Sequence, residues 1–287
     1  MKMKLRKQYA VPDRIKLLLM LVFVLIIMLA IAWYGDKQTT QQEKRSTIED
    51  FLKTALEPVG TTMYIWGGGW DDADSQAGTG STRIGLSPEW KAFMDEQDET
   101  YDFEDYRFQR EKGLDCSGYI GWVVYNIFEK VDGVDGYVTS STDMAENFAS
   151  RGWGKLLENP ATFLPGDIVS MDGHVWISLG TCEDGSVLLV HSSPPGVSVC
   201  GTPVPEVELE NTEGAREEQD SRSIAVELAE DFMSIYYPKW QERYPNRSVG
   251  LSYLENVKVM RWSSKTMSDA EEFQGMSGEE VLDLLGN

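Results

Sequence analysis

The strongest constraint on this chain is an uncharged run at residues 17–34, LLLMLVFVLIIMLAIAWY. Its length reaches the lower end of what spans a bilayer as a helix. Lys2, Lys4, Arg6, Lys7, Arg14 and Lys16 precede it, and Lys37 soon comes after it. The positive-inside bias therefore makes residues 1–16 a cytoplasmic basic tail. Trp33 and Tyr34 stand where an interfacial aromatic belt would lie. Two readings stay open. The run is an uncleaved transmembrane anchor, or a signal segment with Ala30-x-Ala32 as its cleavage site. Both export residues from about Gly35 onward. The chain is then single-pass in the cell membrane with its large C-terminal part outside, or secreted if the segment is removed. Residues 35–45 read as a juxtamembrane linker and 46–287 as the extracytoplasmic domain.

Export changes the charge balance. The whole chain of 287 residues carries a formal −21. Without residues 1–34 it keeps 20 Lys and Arg against 46 Asp and Glu, a charge of −26. Such a surface is repelled by phosphates, so nucleic acid is excluded as a partner. Hydrophobic residues make up 41% and charged residues 25%, which excludes a disordered chain. Three cysteines are too few for a disulfide-dense scaffold.

Within the exported part, Ser46 and Glu49 fit a capping box. Ile48, Phe51, Leu52, Ala55 and Leu56 then recur at helical spacing, and Pro58 and Gly60 stop the helix. Met63 to Trp66 is a short apolar run closed by Gly67-Gly68-Gly69. These glycines are no phosphate loop, since no Gly-Lys-Ser/Thr comes after them. Residues 70–113 hold 12 acids against 5 bases and read as a solvated acidic insertion. Asp72, Asp74 and Gln76 only faintly resemble a calcium loop. Residues 116–130 read as a helix with Ile120, Val123, Val124, Ile127 and Phe128 on one stripe. Another helix is expected within 139–157. From Pro165 the period becomes that of strands. Segments 166–170, 174–179, 187–191 and 197–199, separated by turn residues, predict an antiparallel meander. Residues 206–220 read as an acidic loop. A helix is expected over 224–240, with Ile224, Leu228, Phe232 and Ile235 on one face. A last strand at 257–262 and a tail helix at 277–285 complete an α+β pattern.

The chemistry gathers around few residues. Cys116 comes directly after Asp115 at the junction of a polar loop and an apolar helix. A thiol there feels the positive end of the helix dipole and free backbone N–H groups, which favour thiolate. A buried structural cysteine is the other reading. His174 and His191 are the only histidines. If their strands pair through residues 181–186, both fall at one end of the sheet. One imidazole can then orient the other, giving a nucleophile–base–orienter set of Cys116, His174 and His191.

These residues sit in a recognisable order. Tyr64-x-Trp66-Gly67-Gly68, Asp115-Cys116-Ser117-Gly118-Tyr119, Leu164-Pro165-Gly166-Asp167-Ile168-Val169 with Gly173-His174-Val175, and Val190-His191-Ser192 resemble the NlpC family of cell-wall cysteine peptidases. These belong to the papain-like superfamily, and the resemblance covers residues 46–203. It implies a papain-like fold with the nucleophile at a helix N-terminus packed on an antiparallel sheet. It implies Cys116 as nucleophile, His174 as base, His191 as the orienting residue and Tyr64 as an oxyanion donor. Asp115 and Ser117 resemble positions that line the family's substrate groove, and Trp66 and Trp176 are further expected substrate contacts of this chain. The implied activity is hydrolysis of amide bonds in peptidoglycan stem peptides, between D-isoglutamate and a diamino acid, without a cofactor. The chain departs from the family in the long segment between Gly69 and Asp115, in Trp176 and Ser178, and in a longer hairpin between the histidines.

Cys182 and Cys200 fall on opposite sides of the third meander strand. Two inter-strand spacings separate them, more than a disulfide spans without loop curvature. No C-x-x-C or H-x-x-x-H pair supports zinc. Two alternatives to a peptidase remain open: a non-catalytic wall-binding module, and a thiol amidase or transacylase working on another acyl group.

Overall fold

Local signals place the first helix, but a distant residue decides where it starts. The computed structural model describes residues 28, 46–71, 76–129, 131–205 and 222–286. Helix α1 (Ile48–Leu56) has Thr47 as its N-cap, whose Oγ1 accepts from the Asp50 amide at 2.9 Å. The N-cap lies one residue later than the expected Ser46. Asp269 explains why: its carboxylate accepts from the Ile48 and Glu49 amides at 2.6 and 3.1 Å. The open N–H groups of the first turn are satisfied from elsewhere. The buried face of α1 is the expected Ile48, Phe51, Leu52, Ala55 and Leu56.

Strand β1 (Met63–Tyr64) comes next. The segment 70–113 is not merely a solvated insertion. It carries helix α2 (Pro88–Asp95), which buries Trp90 and Phe93, and it ends in strand β2 (Gly113–Leu114). Helix α3 (Cys116–Phe128) is buried on every face from Cys116 to Tyr125, so it is the central helix rather than an amphipathic surface one.

The helix expected within 139–157 is short, α4 (Met144–Ser150). Just beyond it, Gly152 at φ +80° takes the left-handed conformation that ends helices. Residues 154–158 then run as strand β3 (Gly154–Glu158). The meander is present as β4 (Ile168–Met171), β5 (His174–Thr181), β6 (Val187–Ser193) and β7 (Gly196–Gly201), each antiparallel to the next.

The single long helix expected over 224–240 is two. Pro238 separates α5 (Ile224–Tyr236) from α6 (Pro238–Arg243). The buried face of α5 is Ala225, Val226, Ala229, Phe232 and Met233, and Ile235 points to solvent. Small residues set this rotation. A Cβ on Gly201 of β7 would lie 2.3 Å from the Ala225 backbone, so α5 rests directly on the strand. Strand β8 (Lys258–Trp262), α7 (Ala270–Phe273) and α8 (Gly278–Leu285) close the chain, α8 with a capping box between Ser277 and Glu280.

The eight strands form one sheet in the order β2-β1-β7-β6-β5-β4-β8-β3. Among the strands of the described residues, β1 and β2 are the one pair that runs parallel. The fold is therefore α+β with a mainly antiparallel sheet. Alternation along the strands divides two cores. Val175, Ile177, Val190, Val199 and Met260 face the main core with α1 and α3. Val169, Trp176, Leu189, Cys200 and Val259 face a smaller core on the other side.

Among the described residues no helix is long and apolar enough to cross a membrane. The expected anchor at 17–34 lies outside the described residues except for Met28. The basic tail, the linker, Asp72, Asp74 and the 206–220 loop also lie outside them.

Candidate active site

Close backbone packing positions Cys116. Gly68 and Gly69 lie against the start of α3, where a Cβ on Gly118 would meet the Gly68 carbonyl oxygen at 2.0 Å. A Cβ on Gly69 would meet the Gly118 Cα at 2.5 Å. Gly69 and Gly118 thus serve one purpose, the approach of a loop to a helix N-terminus, whereas a Cβ on Gly67 would meet the Phe108 ring at 2.8 Å and one on Gly68 the Gly113 carbonyl oxygen at 2.5 Å. Asp115 caps that helix. Its Oδ1 accepts from the Gly118 amide at 2.7 Å and from the Ser117 hydroxyl at 2.9 Å, and Oδ2 accepts from the Gly67 amide at 3.2 Å. The Trp70 indole N–H donates to Ser117 Oγ at 3.0 Å, which extends the network to the mouth of the site.

A cavity of about 310 Å³ opens over this junction. Cys116, Asp115, Ser117, Tyr64 and Trp66, all singled out from the sequence, line it, while His174 and His191 do not. Trp176 does not. It is fully buried against Phe163, because it sits on the face of β5 that the smaller core covers. Trp70, Phe108, Ser140 and Ser141 also line the cavity and were not anticipated. Phe108 belongs to the 70–113 segment and holds φ +64°. Its amide donates to the Trp66 carbonyl at 2.8 Å, and the Arg107 guanidinium lies 5.0 Å from the Trp66 ring. The segment therefore builds one wall of the cleft.

The histidines meet as expected. His174 Nε2 and His191 Nδ1 are 3.1 Å apart at one end of the β5–β6 pair. The residues flanking His174 reach the site: Gly173 lines the cavity, and the Val175 amide favours a thiolate at Cys116. Among the described residues, the His174 side chain makes its hydrogen bond to His191 and none to Cys116. Tyr253 packs edge-on against both imidazoles, with its Oη 3.5 Å from His191 Nδ1. Nothing local in the sequence marks Tyr253, which lies 62 residues beyond His191.

Burial sets the protonation states. The Cys116 thiol is 6% exposed and is pushed up to about 12, first by desolvation and then by the Asp115 charge. The amides that favour thiolate do not offset this, so the expected helix-activated thiolate is not the resting state. Desolvation lowers His174 to about 4 and His191 well below its usual value. Asp115 is raised to about 6, because desolvation outweighs the bonds it accepts. Tyr64 is raised well above the ordinary phenol range and remains an O–H donor. At neutral pH the Cys116 thiol and both imidazoles are therefore neutral, so no thiolate–imidazolium ion pair is preformed among them.

All three cysteines are free. Cys182 lies in the main core and Cys200 in the smaller one, on opposite faces of the sheet, which keeps them apart. Among the described residues no group of three or more His, Cys, Asp or Glu could hold a metal ion. No family model, curated protein or solved structure matches this chain.

Proposed function

We propose that the chain is a cysteine endopeptidase with a papain-like fold that hydrolyses amide bonds in peptidoglycan stem peptides. One observation carries the reading. The Cys116 thiol stands at the N-terminus of α3 on a cavity wall, beside Tyr64 and next to a strand whose His174 is hydrogen-bonded to His191. With Nε2 engaged, the Nδ1 nitrogen of His174 is the one left to act as base. It takes the thiol proton as sulfur attacks the amide carbonyl. The tetrahedral oxyanion accepts from the Tyr64 hydroxyl and the Cys116 amide. The C–N bond breaks, the amine leaves with the proton from His174, and a thioester remains. Water, deprotonated by His174, then releases the carboxylate and the free thiol. No cofactor takes part.

The four ordered motifs support a stem peptide as substrate, with the bond between D-isoglutamate and a diamino acid as the cut. Residues 17–34 would hold the domain at the outer face of the cell membrane, or release it if cleaved. The test is digestion of defined muropeptides by wild type and Cys116→Ala, with mass analysis of the products. Wild type should expose one new amine and one new carboxyl at that bond. Cleavage that persists in Cys116→Ala would overturn the proposal. A product from another acyl group would identify an amidase instead.

A further inference from the structure

The histidine pair works as a base only in one of its two tautomeric arrangements. If His191 Nδ1 is an acceptor, the His174 proton lies on Nε2, and His174 Nδ1 has a free lone pair. If His191 Nδ1 carries the proton, His174 Nε2 must accept it. The remaining His174 proton then sits on Nδ1, and His174 cannot take one from Cys116. The 3.1 Å contact is compatible with either arrangement.

A third group meets the same nitrogen. Tyr253, from a single 3₁₀ turn (Leu251–Leu254), brings its Oη to 3.5 Å from His191 Nδ1. Its ring centroid lies 5.4 Å from that of His174 and 5.8 Å from that of His191, edge-on to both. Trp176 lies 6.3 Å away on the same face and backs the phenol. Ser193 beside the phenol favours its ionised form, but burial outweighs it and the phenol keeps its proton.

The geometry points to Tyr253 as a positioning residue that, through a second donor on His191 Nδ1, holds the histidine pair in the arrangement where His174 is a base. When the Tyr253 hydroxyl donates, His191 Nδ1 is its acceptor and carries no proton, and His174 Nε2 then donates to that same nitrogen. The surroundings agree. Burial keeps Tyr253 protonated, raising it to about 12. The Arg247 guanidinium and His174 both disfavour a second charge at His191. Cys200 and Cys116 near the phenol act in the same direction, against phenolate.

The inference rests on the proposed peptidase chemistry, yet its test does not need turnover. The chain has two histidines, so selective ¹⁵N-histidine labelling of the full chain gives two imidazole spin systems. In wild type at pH 7, His191 should show the Nε2–H tautomer and His174 the same. An Nδ1–H tautomer at His191 in wild type overturns the inference outright, whether or not muropeptides are cleaved. In Tyr253→Phe, which keeps the ring contacts, the Nδ1–H form of His191 should become visible. Where a substrate is cleaved, kcat should fall about tenfold with KM unchanged, the size of one hydrogen bond. Unchanged tautomers in Tyr253→Phe, with wild-type circular dichroism, would also overturn it.

Discussion

Replacing Asp115 by Asn tests how burial and hydrogen bonding compete at the base of the cleft. The carboxyl is raised from 3.8 to about 6, with desolvation the first cause. A folded value above the unfolded one means the folded state binds the proton more tightly. The resulting stability is present below about pH 4 and is lost as pH rises through about 6. Two units at 1.36 kcal/mol each give about 3 kcal/mol across that window. Asn carries no charge, so it has no such slope. It keeps an acceptor for the Gly118 amide and the Ser117 hydroxyl. It turns an N–H toward the Gly67 amide, which loses one bond worth about 1 kcal/mol. Asp115→Asn should therefore be about 1 kcal/mol less stable than wild type at pH 4 and about 2 kcal/mol more stable at pH 8. Urea unfolding of the full chain, monitored by tryptophan fluorescence at both pH values, reads this difference. The other titrating groups are common to both proteins and cancel. A difference that stays constant from pH 4 to 8, or an Asn variant weaker at pH 8, would refute the reasoning.

Three further outcomes rest on the same geometry. With the thiol up at about 12 and His174 down at about 4, alkylation of Cys116 by iodoacetamide should climb steadily from pH 6 to 10; a plateau between pH 5 and 8, read on the Cys116 peptide by mass spectrometry, would indicate a preformed ion pair instead. Gly118→Ala places a methyl 2.0 Å from a backbone oxygen and should cost about 1–3 kcal/mol or more, seen in urea unfolding, with Cys116 alkylation altered by displacement of the α3 N-terminus. Arg261→Leu strands Asp167, which is 1% exposed and held by Arg261 at 2.7 to 3.2 Å, and should destabilise by about 3–5 kcal/mol at pH 7 and by less once acid protonates the carboxyl.

Much of the site was legible because its parts are local. The Asp115 cap before an apolar run, the glycine run after Trp66, and two histidines flanking one hairpin are all short-range patterns. The hairpin argument placed His174 beside His191, since strand pairing at a turn fixes which residues become neighbours. Trp176 shows the limit of adjacency. Two residues from His174, it has the same parity but lies inside the sheet, where that face is covered by a second core. The 70–113 segment shows another limit. Its acidity concealed Trp90 and Phe93, whose burial depends on contacts with α3 and the segment's own aromatics. The α1 cap moved by one residue because Asp269, more than 200 positions away, took the first amides.

The sequence by itself determined the α+β pattern, the meander, the helix beginning at Cys116 and the pairing of the histidines. Each arises from periodicity, capping or a turn, all of which act over a few residues. Only the tertiary structure decided the charge state of the site and the residues that surround it. Desolvation depends on everything packed around a group, so a thiol at the favourable end of a helix dipole still rests neutral. Phe108 and Tyr253 reach the site from separate loops far apart in sequence, and no local rule connects Phe108 to Cys116 or Tyr253 to His191.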